Sequence, residues 1–184
     1  MVGLDDVLAA RTGDHAAFER LAEAAVDRLY RIAYLILRDS HLAEDAVQEA
    51  LVRAWTGMDR LREPTAFDAW LNRLLARACA DQSRGARRFE AVVRVLPDDR
   101  VQADDAGALA DRDALERSFR RLSAEHRAVI VFHYYLDLPM HEVADALGVP
   151  LGTVKSRLHH ARSAMRAGLE ADSRASMAAS EVAR

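Results

Sequence analysis

The side chains of this sequence best suited to chemistry are its seven histidines and a lone cysteine, and their spacing argues against catalysis. Residues 141–145 (HEVAD) begin like a zinc-protease helix, where two histidines one turn apart hold the metal and the glutamate acts as base. The second histidine is absent here, because Asp145 occupies its place. His126, His133, His141, His159 and His160 show no metal-ligand spacing, and no cysteine pair assists them. Cys79 has no histidine near it in sequence and lies in an apolar helical stretch, as a small buried residue would. No glycine-rich phosphate loop is present. The chain is therefore expected to be no enzyme, with no catalytic residue, no metal and no cofactor.

A different chemistry is written between Leu151 and Glu170, where four basic residues face one acidic in a chain whose net charge is −3. Val154, Leu158, Ala161, Met165 and Leu169 make one apolar helical stripe. Ser156, His159, His160 and Ser163 lie opposite. Lys155, Arg162 and Arg166 line one flank of the stripe, and Arg157 lies on the other. Short polar groups suit base edges and long cations suit phosphates, so this is the composition of a helix that enters a DNA groove. Gly148 and Pro150 precede it in a tight connection from a short helix that Pro139 opens at its first position. Two helices so joined form a candidate helix-turn-helix, with Thr153 near the start of the second; an ordinary αα-hairpin is the alternative.

The elements that must carry this face are all helical. Glycine (8) and proline (4) are scarce, and a composition 51% hydrophobic and 30% charged is that of a core-forming chain. A first block runs from about residue 14 to 84. Leu29, Ile32, Ala33, Ile36 and Leu37 recur at helical spacing before Asp39 and Ser40 interrupt as a cap. Ala43, Ala46, Val47, Ala50 and Ala54 then form a stripe, with Glu44 and Asp45 in the first turn where the dipole favours acids. Residues 57–64 read as a loop. Residues 65–68 (TAFD) have capping-box form, opening a helix that buries Phe67, Trp70, Leu71, Leu74, Leu75 and Ala78. Arg84, Arg87, Arg88 and Arg94 follow. Seven acidic and two basic residues then fall between Val95 and Glu116, the signature of a linker.

The fold expected is all-α: two small helical domains, 1–94 and 115–170, joined by an acidic flexible linker, 95–114, the second containing the helix-turn-helix. A frayed tail covers 171–184. Ser123 is the expected cap of a helix through Tyr135. No stretch reaches the roughly 20 apolar residues of a membrane span. The start of the chain lacks signal-peptide character, and one cysteine fits a reducing compartment, so a cytoplasmic protein is expected.

Residues 147–162 (LGVPLGTVKSRLHHAR) resemble the promoter-reading hairpin of the extracytoplasmic-function (ECF) sigma factors, and residues 42–55 (LAEDAVQEALVRAW) resemble the segment by which those factors grip the polymerase clamp. The helix opening FDAWLNRL at Phe67, with its basic run to Arg88, is similar to the part that engages the melted −10 element. The resemblance implies a non-catalytic subunit that directs RNA polymerase to promoters. Its partners would be core RNA polymerase, promoter DNA as duplex −35 and melted −10 elements, and in some cases an anti-sigma factor. The −35 contacts would be Thr153, Lys155, Ser156, Arg157, His159, His160, Arg162 and Arg166. The −10 contacts would be Arg60, Phe67, Asn72, Arg73, Arg77, Arg84, Arg87 and Arg88, with an extruded base captured in the loop 60–67. Trp70 is expected in the core. Asp45, Gln48, Glu49, Val52 and Arg53 would meet the polymerase, on a face opposite the alanine stripe. Two positions depart from the family pattern: Arg77 stands where asparagine is common, and His160 where arginine is common, which removes a bidentate reader of guanine. The rival readings are a stand-alone helix-turn-helix regulator with a helical partner-binding domain, and a family relic that binds partners without initiating transcription.

Overall fold

The computed structural model describes the backbone of residues 3–93 and 110–182, and the side chains of residues 3–86 and 114–174. Most of the acidic segment read as a linker, 95–109, lies outside the described residues, as do the side chains of Arg87 and Arg88. Every regular element among the described residues is helical. The first half holds α1 (Leu4–Arg11), α2 (His15–Leu37), α3 (Ser40–Thr56) and α4 (Phe67–Val93). The second holds α5 (Ala110–Arg120), α6 (Ala124–Ile130), α7 (Met140–Leu147) and α8 (Leu151–Val182).

The caps set the register of the first half. Asp14 accepts a hydrogen bond from Ala17 N at 3.0 Å, starting α2, and Asp39 accepts one from Leu42 N at 2.9 Å, starting α3. Between them Arg38 takes a left-handed conformation (φ 59°), so α2 reverses into α3 within two residues. Each aspartate cap stabilises its helix by about 1 kcal/mol, and Asp39→Ala would loosen this reversal first. The alanine stripe of α3 (Ala43, Ala46, Ala50, Ala54) is fully buried, which lets its backbone lie close to α2 and α4. Leu21, Leu29, Ile32 and Ile36 of α2 and Leu71 and Leu75 of α4 fill the space around it. Each such side chain contributes about 1.5–3 kcal/mol when fully buried.

In the first half, four features differ from the expectations. The segment 57–64 is no plain loop: turns of 3-10 helix at Met58–Arg60 and Pro64–Ala66 pin buried Met58 and Leu61. The capping box at Thr65 does not form. The Thr65 hydroxyl donates to Glu63 Oε1 at 3.0 Å, and α4 is entered through the 3-10 turn instead. α1 was not anticipated; its Val7 and Ala10 are buried, and Asp6 pairs with Arg20 of α2. α4 also runs past Arg84 to Val93.

In the second half, α5 begins at Ala110, inside the stretch assigned to the linker. Ser123 caps α6 by accepting from His126 N at 3.3 Å, as expected, but the helix relaxes into a π-helical turn at Val131–Tyr135 before it stops. Pro139 is the residue before α7 rather than its first position. Gly148 closes α7 at φ 64°, a conformation costly for any residue with a Cβ. α8 starts at Leu151, two residues earlier than read, and its backbone is helical through Val182, where a frayed tail was expected.

The halves are packed together. α7 and α6 lie against α4 and α2, and the buried apolar residues of both halves form one continuous cluster from Val7 to Leu158.

Candidate nucleic-acid interface

The second helix of the hairpin presents the expected face. Val154, Leu158 and Ala161 are buried against α6 and α7, which fixes the rotation of α8 about its axis. Lys155, Ser156, His159, His160, Arg162 and Arg166 are thereby turned to solvent. Met165 and Leu169 continue the stripe half-buried. Thr153 is half-buried, and its carbonyl accepts from the Ser156 hydroxyl at 3.0 Å. Arg157 is the exception on this face. It leans back onto α6, where Nη2 meets Glu125 Oε2 at 2.8 Å, and its side chain is 24% exposed.

Periodicity within one helix carried no signal for the residues of α6 beside this face. His126 lies 6.4 Å from His160, ring centre to ring centre, and His160 lies 5.7 Å from His159. Burial, then the neighbouring His160, holds the His126 imidazole below its usual pKa. Glu125 and His126 therefore adjoin the reading face through a tertiary contact.

On α4, Arg73, Arg77 and Arg84 stand at i, i+4 and i+11, along one side of the helix. Arg77 and Arg84 are exposed and Arg73 is half-buried; Arg60 is exposed on the 3-10 turn. The structure does not bring Phe67 and Asn72 to that surface. Phe67 is 3% exposed and packs in the core beside half-buried Trp70. Asn72 is 8% exposed, and its Oδ1 accepts from Arg28 Nη1 at 2.8 Å, tying α4 to α2. The aromatic packs in the core and the amide holds α2, so neither offers an edge to a base as placed. Cys79 is 2% exposed, and burial pushes its thiol up to about 12.

The outer face of α3 carries Asp45, Gln48 and Val52 in solvent, Val52 being 52% exposed, with Glu49 and Arg53 half-buried beside them. Arg53 Nε donates to Glu49 Oε1 at 2.7 Å, and Nη2 to Asp81 Oδ2 on α4 at 2.9 Å. Asp81 in turn accepts from Arg84. A charged chain thus links the outer face of α3 to the basic side of α4.

Residues 21–89 match the sigma-70 region 2 family, and residues 112–165 match the family described as sigma-70, region 4. SigL of Mycobacterium tuberculosis, an ECF RNA polymerase sigma factor, is 36% identical over 168 residues, which is 86% of this chain and 94% of that protein. The chain belongs to the ECF RNA polymerase sigma factors. Another ECF sigma factor, SigW of Bacillus subtilis, is 28% identical over 169 residues, covering 85% of this chain and 90% of that one. The sigma factor RpoE of Bartonella quintana, solved as a co-crystal with the anti-sigma factor NepR, superposes with a TM-score of 0.66 at 25% identity, over 83% of this chain and 96% of that one. In this sigma factor the region 2 match runs from within α2 into α4, and the region 4 match from within α5 into α8. α1 precedes the matched residues. No helix among the described residues is long and apolar enough to cross a membrane.

Proposed function

We propose that this sigma factor works in the cytoplasm as a non-catalytic initiation subunit, docking on core RNA polymerase through the outer face of α3 and reading promoters with two separate surfaces. Asp45, Gln48, Glu49, Val52 and Arg53 form the docking face. Lys155, Ser156, Arg157, His159, His160, Arg162 and Arg166, with Thr153 at the helix start, read the duplex −35 element. Arg60, Arg73, Arg77 and Arg84, continued by Arg87 and Arg88, hold the backbone of the melted −10 element. Phe67 and Asn72 support that surface from beneath. The observation that carries this reading is the separation of faces on α3 and α8. Each buries an apolar stripe and turns outward a polar or charged face most of whose side chains lie in solvent.

The net charge of −3 and the small size of the basic surfaces fit a protein that binds DNA weakly alone and specifically with polymerase. A stand-alone regulator would need the opposite. An anti-sigma factor is a fitting regulator, as RpoE of Bartonella quintana is held by NepR. The test is run-off transcription by purified core polymerase and this chain on genomic fragments, with the start sites sequenced. Discrete starts that depend on the chain are expected. Tight binding of one duplex site by the free chain, without transcription, would overturn the reading.

A further inference from the structure

Two consecutive residues of α6 meet two polar residues of α8. Glu125 Oε2 lies 2.8 Å from Arg157 Nη2, and the ring centre of His126 lies 6.4 Å from that of His160. Arg157 and His160 are three residues apart on α8, so their side chains stand one above the other on one side of that helix. Their partners sit in the first turn of α6, which Ser123 pins by accepting from His126 N at 3.3 Å. α6 packs on α8, with Ala124 and Ala128 buried on the one and Leu158 and Ala161 on the other. Both pairs are made within the residues matched to region 4.

The fold gains little from these contacts. The Glu125 side chain is 49% exposed, and an ion pair so open to water adds little stability. What the pair removes is freedom. A guanidinium reads a base through a planar fork of N–H donors, and it does so only when that plane is correctly presented. With Nη2 held by Glu125, the Arg157 side chain has a set direction and still keeps donors for a base. The carboxylate also offsets the charge of Arg157, which weakens its pull on phosphates and leaves geometry to decide what it binds. Beside the second pair, burial first and His160 after it hold the His126 imidazole below its usual pKa. An uncharged ring therefore flanks His160 at neutral pH and limits where its imidazole turns.

We propose that Glu125 and His126 are positioning residues for −35 recognition, Glu125 acting through Arg157 and His126 through His160. On this account α6 shares with α8 in setting the base preference. The inference rests on the reading of α8 as the −35 reader.

The test titrates holoenzyme, core polymerase with the full chain, onto a promoter fragment recovered by run-off transcription. Copies of the fragment have each base pair of the −35 element replaced in turn. Glu125→Ala loses about tenfold of the discrimination at one or two adjacent base pairs, as expected for one misplaced base reader, and keeps the rest. Glu125→Gln, which retains an acceptor at the same reach, keeps most of it. In an Arg157→Ala background Glu125→Ala has no further effect, because a residue that acts through another is silent once that other is gone. His126→Leu keeps the packing and shifts the preference at a neighbouring base pair, and this shift vanishes in a His160→Ala background. Circular dichroism of every variant matches the wild type. A Glu125→Ala or His126→Leu chain with wild-type preference at every −35 position overturns the inference. So does a Glu125→Ala effect that adds in full to that of Arg157→Ala. If no −35 replacement alters binding of the wild-type holoenzyme, the underlying reading of α8 falls instead.

Discussion

Arg53 on α3 donates through Nη2 to Asp81 Oδ2 on α4 at 2.9 Å, while its Nε holds Glu49 of its own helix. The Arg53 hydrogen bond first, and that from Arg84 after it, hold the Asp81 carboxyl below its usual pKa of 3.8. A carboxylate depressed in the folded state contributes stability that is present above its unfolded pKa and lost as pH falls through the folded value. At 45% exposure Asp81 is screened by solvent, so the contribution is small. The wild type should melt at a slightly higher temperature than Asp81→Asn at neutral pH, and the gap should close as pH drops below 3.8. Thermal melts across that range check it; a gap independent of pH would mean that the ion pair does not form in solution.

On α8, Lys155→Ala and Arg157→Ala should each reduce transcription from promoters that need their −35 element, leaving polymerase binding intact. Loss of a base-reading contact costs about 1–3 kcal/mol, whereas loss of a phosphate contact lowers the salt dependence of binding by about one unit of slope. Salt-titrated binding of the holoenzyme tells the two apart. His160→Arg should change −35 sequence preference more than stability, because His160 is exposed. Wild-type output from both alanine variants would place DNA reading on another surface.

Gly168 lets α8 approach α5. A Cβ there would lie 2.6 Å from Ser118 Oγ and 3.1 Å from Ser118 Cβ, and Ser118 is 2% exposed. Alanine is the better helix former by about 1 kcal/mol, but overpacking a filled contact costs about 1–3 kcal/mol. Gly168→Ala should therefore destabilise the chain by about 1 kcal/mol net, read from the urea midpoint. A stabilised variant would show that α5 yields easily.

What the sequence made legible was local. The α3 stripe, the caps at Asp39 and Ser123, the αL glycine at 148 and the outward face of α8 each follow from neighbours a few residues away. Phe67 and Asn72 were assigned to DNA because the motif around them is a DNA-binding one. Asn72 is tied inward by Arg28 of α2, 44 residues away, and Phe67 packs in the core beside Trp70. Arg157 looked like a free cation for the same reason, since Glu125 belongs to another helix. The contact of Arg127 with Ile36, 91 residues apart, has no sequence pattern at all. α5 was hidden because its charged residues read as linker, although it packs on α8 through Ser118 and Arg117.

Docking of the outer face of α3 on polymerase is tested by the affinity of an Asp45→Ala, Gln48→Ala, Glu49→Ala triple variant for core enzyme. All three point away from the buried alanines, and only Glu49 has an internal ion pair, with Arg53. Such surface changes alter stability by about 0.5 kcal/mol each or less, so circular dichroism should show the wild-type helix content. Charged groups desolvated in an interface cost roughly 2–5 kcal/mol when truncated, so binding to core polymerase should fall about 30-fold to several-thousand-fold. A folded triple variant that binds core polymerase as tightly as the wild type would show that the outer face of α3 does not dock there.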